Sequence, residues 1–259
     1  MNCKVIYLNI FEGCKDTCRF ARIVKFVKKN KPNVLCLSEL NDWEKNNSSK
    51  LKKFMKTINM NNVIFGISKK NFHIAIFTNL NIIKKKLIHK NFDTGMIKGT
   101  FKINNKQFSI ILTHLSPKTE DVRLKEIDII LKNISKEPTI LLGDLNSLSP
   151  DDIYDEKALI QKLHKISSEK FGIYNLRKNV ISRILKYGLV DTVKTYSKKF
   201  EYSVPTAINT DKFHLSKLRL DYIFMTNNLL YNLINSKIIR NKFTNTLSDH
   251  FPIIAEFRF

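Results

Sequence analysis

Glycine and proline are scarce, seven and six in 259 residues. That leaves little material for flexible hinges, and there is no Gly/Ser-rich linker and no internal repeat. One compact α/β domain over 1–259 is the simplest reading. No apolar run approaches the roughly 20 residues of a membrane span. The opening MNCKVIYLNI has no long apolar stretch before a small-residue cleavage site. It reads as a first strand rather than a signal peptide, so a soluble intracellular protein is expected, with a monomer as the default state. Cysteine is limited to Cys3, Cys14, Cys18 and Cys36. Cys14 and Cys18 are spaced CxxxC, but no second Cys/His pair completes a zinc site, and reduced thiols are expected. HExxH, the P-loop glycine pattern and GxSxG are all missing, which excludes the chemistries that depend on them.

Acidic residues are also few. Against 45 Lys and Arg stand 23 Asp and Glu, a net charge of +22. Only eight of the basic residues are Arg; the rest are Lys spread along the chain beside abundant Asn and Ile. A Lys/Asn/Ile bias follows from an AT-rich genome as readily as from a binding surface. The charge nonetheless favours phosphate-rich partners: RNA, DNA or an anionic membrane surface.

What the sequence has in quantity is short apolar runs of strand length. Strands are expected at 4–9, 33–40, 62–68, 73–79, 82–89, 99–104, 107–115, 139–146, 219–227, 237–241 and 252–259. Helical spacing of apolar residues marks 19–29 and 120–134, and more weakly 155–166 and 179–187. The stretch 41–60 is expected to be a loop, and 147–215, the least patterned part of the chain, is expected to carry long loops around its two weak helices.

Several strands end on polar residues where the apolar pattern predicts none: Asn9, Glu39, His114, Asp144 with Asn146, Asp221, and the Asp249–His250 pair. Alone, each has a plain structural explanation, such as a satisfied core histidine or a turn after Gly143. Together they are costly to bury unless they pair with one another or with a cation. Carboxylates, amides and imidazoles of this kind suit a hard cation such as Mg²⁺, which takes oxygen ligands and keeps waters for a phosphate. Metal-assisted phosphoester hydrolysis fits the inventory best.

The order Asn, Glu, His, Asp-Xaa-Asn, Asp, Asp-His, carried by YLNI, LSEL, LTHL, LLGDLNS, RLDYIF and LSDHFPI, resembles the endonuclease/exonuclease/phosphatase superfamily across residues 6–254. The resemblance implies a four-layer α/β sandwich, two packed mixed β-sheets flanked by helices, with a site at one end of the sheets. It implies a Mg²⁺ site, with Mn²⁺ as an alternative, in which Glu39 is the principal ligand, Asn9 supports the metal or phosphate, and Asp249 is a further acid. Asp144 would orient or deprotonate the attacking water, and Asn146 would offer its amide to a phosphate oxygen. His250 would contact the phosphate or act as base with Asp221 on its ring, and His114 would protonate the leaving group. Which histidine is the base stays open. His214 and Lys217 are placed as pocket-lining, substrate-binding residues, with a plain loop as the equal alternative. Arg123 and Glu126 are read as a pair bracing the site, Trp43 as core, and Glu12 as a solvated loop acid.

The sequence also departs from the family's patterns. Ser38 stands where many members carry Gln, and Phe11 where apurinic endonucleases carry an acid. The Cys–Asp–Arg of inositol 5-phosphatases is absent. The expected activity is a phosphodiesterase acting on nucleic acid. The alternatives are hydrolysis of phospholipid headgroups or small phosphorylated metabolites, and a catalytically silent binding module.

Overall fold

The computed structural model describes residues 2–214 and 216–259. Along the chain come β1 (Asn2–Asn9), α1 (Thr17–Asn30), β2 (Val34–Ser38), α2 (Lys45–Ile58), β3 (Asn62–Gly66), β4 (Ile74–Thr78), β5 (Asn81–Ile88), β6 (Met96–Ile103) and β7 (Lys106–His114). There follow α3 (Glu120–Leu131), β8 (Thr139–Asp144), α4 (Glu156–Lys165), α5 (Asn179–Lys186), β9 (Leu189–Asp191), α6 (Thr192–Tyr196), β10 (Asp221–Thr226), β11 (Leu233–Ile238) and β12 (Ile253–Arg258). No helix is long and apolar enough to cross a membrane among the described residues.

The strands form two six-stranded sheets, ordered β11-β12-β1-β2-β4-β3 and β5-β6-β7-β8-β10-β9. Each sheet is mixed: β1 runs parallel to β2 and β7 parallel to β8, while the other neighbours are antiparallel. Both sheets are covered on both faces, which is why their central strands are apolar without alternation. Val5 and Tyr7 of β1, Ile110 and Leu112 of β7, Ile140 and Leu142 of β8, and Ile223 and Met225 of β10 fill the space between the sheets. The alternate residues Ile6, Leu8, Leu35 and Phe77 pack outward against Ile23, Phe26 and Phe54 of α1 and α2. On the far side Ile111, Leu141 and Phe224 pack against Ile127, Ile130, Val180 and Ile184 of α3 and α5. The result is the four-layer helix–sheet–sheet–helix sandwich, and each such buried side chain contributes roughly 1.5–3 kcal/mol.

Three expectations change here. The stretch 41–60 holds a helix, α2, rather than a loop. Its buried residues Leu51, Phe54 and Ile58 keep helical spacing behind a polar start in which Asn46, Asn47 and Ser48 are left-handed. The stretch 147–215 carries the two expected helices, α4 and α5, and adds β9 and α6 between its loops; Leu215 lies outside the described residues. The strand at 139–146 stops at Asp144, and Asn146 has a left-handed φ of 49°. Asp144 and Asn146 therefore reach one site through a turn, not through strand alternation. Gly143 is required by the sheet itself: with φ 148°, a Cβ there would sit 1.8 Å from the Thr113 carbonyl oxygen on β7. Trp43 is core, its Nε1 donating to the Gly13 carbonyl at 2.8 Å.

Candidate active site

The inward-facing rows of three neighbouring strands end on charged residues at one register level. His114 of β7 lies opposite Asp144 of β8, which lies opposite Asp221 of β10. Each continues the phase of the apolar residues behind it, so each points between the sheets. In the facing sheet Asn9 ends β1 in register with Ser38 of β2, and Glu39 leaves that strand with a left-handed φ of 60°. Asp249 and His250 arrive on the turn before β12. Glu39, His114, Asp144, Asp249 and His250 border a cleft of about 390 Å³ between the two sheet ends, with Asn9 and Asp221 behind its wall.

Hydrogen bonds fix the groups in place. His250 Nδ1 lies 2.7 Å from Asp221 Oδ2, and its Nε2 lies 3.7 Å from Asp144 Oδ2 and 4.0 Å from Asp249 Oδ2. His114 Nε2 is 3.5 Å from Asp144 Oδ2, and its ring meets Phe72 edge to face at 5.9 Å. The backbone N–H of Asn146 donates to Asp144 Oδ1 at 2.9 Å, and its amide donates to the Leu115 carbonyl at 3.0 Å. Asn9 donates from Nδ2 to Glu39 Oε1 at 2.9 Å and to Asp144 Oδ2 at 3.3 Å, bridging the two sheets. Asn9 Oδ1 accepts from the Phe11 N–H at 3.0 Å, so the side chain holds Glu39 rather than facing the cleft with a lone pair. Glu39 Oε2 accepts from the Glu12 N–H at 2.8 Å; the contribution of Glu12 is its backbone.

The electrostatics divide these groups. Burial works to raise the Asp144 carboxyl, but His114, His250, Lys170 and the Asn146 N–H outweigh it and hold the carboxyl below its ordinary value. Burial raises Asp221, opposed by His250. Burial also opposes charge on His250, yet Asp221 and Asp249 push its imidazole well above the ordinary histidine range. Burial, with Glu39 and Asp144 adding to it, lifts the Asp249 carboxyl to about 7. The cluster around Asp249 is rich in carboxylates, with Glu39 and Asp144 near enough to act on it. Its donors are oxygens, so Glu39 and Asp249 suit a hard divalent cation. Among the described residues, two three-residue groups bring their ligand atoms close together, His214–Asp249–His250 and Asp144–Asp221–His250, and Glu39 belongs to neither.

The structure places His214 in the cleft, its ring 4.9 Å from that of His250 and its Nδ1 2.6 Å from Asn209 Oδ1. Burial, with His250 and Lys170 adding to it, depresses its pKa. Lys217 does not join the cleft: its Nζ lies over the Tyr202 ring at 5.2 Å, beside the separate Tyr154–Phe200 groove. Arg123 does not pair with Glu126 but with Glu120, at 3.0 Å, while Glu126 accepts from the N–H groups of Asp93 and Ser116. Bracing is still its part, since Arg123 also donates to Ser147 Oγ and to the Ser116 and Lys118 carbonyls. Sequence reasoning missed Phe72, Lys170, Asp211 and Phe213 on the cleft wall. Asp211 and Phe213 are neighbours of His214 in sequence, a usable signal; Lys170 sits in unpatterned SSEKFG and gives none.

The sequence model of the Endonuclease/Exonuclease/phosphatase family matches residues 6–250, and the chain belongs to that family of phosphoric ester hydrolases. No curated protein matches the chain by sequence. Among solved structures, an AP endonuclease from Archaeoglobus fulgidus superposes with a TM-score of 0.71 at 18% identity, covering 99% of this chain and 100% of that one. An endonuclease/exonuclease/phosphatase family protein from Leptotrichia buccalis gives 0.71 at 19% identity, covering 99% and 100%. The human Nocturnin catalytic domain, solved with a bound sulfate anion, gives 0.70 at 17% identity, covering 100% and 94%. At these identities the likeness is one of fold.

Proposed function

We propose that this chain is a Mg²⁺-dependent phosphodiesterase acting on nucleic acid. The observation that carries the reading is the register row His114–Asp144–Asp221, capped by His250 and faced by Glu39 from the opposite sheet. Glu39 and Asp249 would hold a hard divalent cation, which when bound would supply positive charge to the phosphate oxygens. Asp144, the carboxylate whose pKa is depressed, holds the attacking water and takes its proton. His250, held charged by Asp221, donates from Nε2 to a non-bridging oxygen as charge grows there. Asn146 has one amide hydrogen engaged by Leu115 and offers the other to the phosphate. His114, across Asp144 from His250, protonates the departing oxygen. Asn9 positions Glu39. The net charge of +22 and the phenylalanines at the cleft, Phe11, Phe72 and Phe213, favour a nucleic-acid strand, which offers phosphates to one and base faces to the other.

The size of the cleft favours a second reading, hydrolysis of a small phosphoester such as a phosphorylated metabolite or headgroup. A cleft of about 390 Å³ suits one compact ligand. The test is incubation with single- and double-stranded DNA, RNA, a phosphorylated-metabolite panel and bis(p-nitrophenyl) phosphate, with Mg²⁺ or Mn²⁺ and with EDTA. Metal-dependent cleavage of DNA or RNA, lost in Glu39→Ala and His250→Ala, supports the first reading. Cleavage of small phosphoesters alone supports the second. No cleavage of anything overturns both and favours a silent binding module, whereas full activity in both variants overturns the assignment of Glu39 and His250 to the site.

A further inference from the structure

We propose that Lys170 is a substrate-contacting residue of this site, its ammonium taking a non-bridging oxygen of the bound phosphate. The inference rests on the phosphoester reading above.

Lys170 lies in the loop between α4 and α5, on the wall of the cleft beside Asp144, Asn146 and His214. It is 4% exposed. A lysine buried to this degree normally finds a carboxylate or several carbonyls. Lys170 does not: among the described residues its Nζ makes neither a hydrogen bond nor an ion pair. Its neighbours are two rings, Phe171 at 5.4 Å and Phe213 at 5.3 Å. Aromatic faces stabilise a cation without using its three N–H donors. The donors are therefore left for a ligand that enters the cleft.

The main chain at this point is held firmly. The Lys170 carbonyl accepts from Arg123 Nη2, and Arg123 is itself locked to Glu120 and Ser147 and to the Ser116 and Lys118 carbonyls behind His114 and Asp144. The same guanidinium thus braces the segments that follow two site residues and the loop that carries the lysine. That coupling gives a long flexible side chain a fixed base, as a positioned phosphate contact requires. Burial pulls the Lys170 pKa below its ordinary value, while Asp144, Asp211 and Glu39 favour its charged form. Those carboxylates are near enough to influence the ammonium, yet none bonds it. A group placed only to neutralise them would pair with one of them. An oxyanion entering the cleft meets an ammonium with all its donors free, which is how lysine serves phosphate as a point charge.

The experiment compares wild type, Lys170→Met and Lys170→Arg. Methionine keeps an apolar stem against Phe171 and Phe213 and removes the charge. Three readouts are taken: thermal melting, calorimetric binding of inorganic phosphate in EDTA, and kcat and KM on bis(p-nitrophenyl) phosphate with Mg²⁺. The expected result is that Lys170→Met melts within a few degrees of wild type, loses phosphate binding, and falls about 100-fold or more in kcat/KM, with partial recovery in Lys170→Arg. Unchanged phosphate binding and turnover in Lys170→Met overturns the proposal. So does a loss of activity matched by a loss of folding in Lys170→Met and in a second variant, Lys170→Gln, because the lysine is then structural. If wild type hydrolyses nothing but its phosphate binding still depends on Lys170, the hydrolase reading fails and the anion contact stands. If wild type is active and Lys170→Met is equally active, the hydrolase reading stands and the contact fails.

Discussion

Asp221 on β10 and His250 on the turn before β12 meet at 2.7 Å, Oδ2 to Nδ1, with both side chains buried between the sheets. The contact joins one sheet to the other and turns Nε2 of the imidazole toward Asp144. Asp221 and Asp249 together keep the ring charged against the opposing effect of burial. Asp221→Asn keeps the shape and removes the charge. The expected outcome is a kcat loss of roughly 100- to 10,000-fold with a small change in KM, measured on whichever phosphoester wild type cleaves. Activity within a few-fold of wild type would return the pair to a structural contact.

Asp144 makes a sharper separation of chemistry from folding. Its Oδ1 accepts the Asn146 N–H, a bond that an asparagine carbonyl can keep. Its Oδ2 faces His114, His250 and the Asn9 amide. Asp144→Asn replaces that oxygen with a donor, and the site loses its proton acceptor. Turnover is expected to fall by more than about 1,000-fold, while the circular dichroism spectrum and a cooperative thermal melt are retained. Loss of folding instead would make ILLGDLNS a strand end and nothing more.

These two residues also show why much of the site was legible in the sequence. Asn9, His114, Asp144 and Asp221 occupy the phase of the apolar rows behind them: Val5 and Tyr7, Ile110 and Leu112, Ile140 and Leu142, Ile223 and Met225. A period of two exposes a polar residue at an apolar phase without any knowledge of the fold. Asn146 was legible for a different reason than strand alternation, since its left-handed backbone, not the pleat, brings it to the cleft. Lys170 was invisible because its place is set from outside its own segment, by Arg123 reaching across from α3. Helix α2 was hidden by composition: lysine and asparagine crowd its sequence, and only Leu51, Phe54 and Ile58 face inward. Lys217 misled because nearness to Asp221 along the chain does not survive the turn that sends it over Tyr202.

A pH dependence of stability follows from a histidine outside the site. His73 is 2% exposed, accepts the Ser68 N–H at Nδ1 (2.9 Å), and sets Nε2 2.8 Å from Glu44. Burial lowers its pKa below the ordinary 6.5, with Glu44 opposing. The unfolded chain therefore binds the proton first as pH falls. Stability is highest above that ordinary value and declines as pH drops through it toward the folded value, with a slope of at most about 1.4 kcal/mol per pH unit. Urea unfolding of wild type and His73→Gln between pH 8 and pH 5 checks this. The stability gap between them should narrow toward acid; a gap that is constant or widens would mean that the folded imidazole is as easily charged as the unfolded one.

Arg123 holds more of the site's framework than any of the groups proposed for chemistry. It is fully buried, and its guanidinium bonds Glu120, Ser147 Oγ and the carbonyls of Ser116, Lys118 and Lys170. Glu120 in turn accepts the Val180 N–H at 2.9 Å, tying α5 to the same cluster. Removing the cation leaves the Glu120 carboxylate and three carbonyls buried without it. Arg123→Met should therefore cost about 3–5 kcal/mol in urea unfolding, the range for breaking one side of a buried pair. Arg123→Lys should recover only part of that cost, because one ammonium cannot reach acceptors set at five places. The paired change Glu120→Gln with Arg123→Met removes both charges and should be less damaging than the two single costs added together. If the two costs simply add, the guanidinium and the carboxylate act independently, and Arg123 is a packing residue rather than the brace that sets His114, Asp144 and Lys170 in one frame.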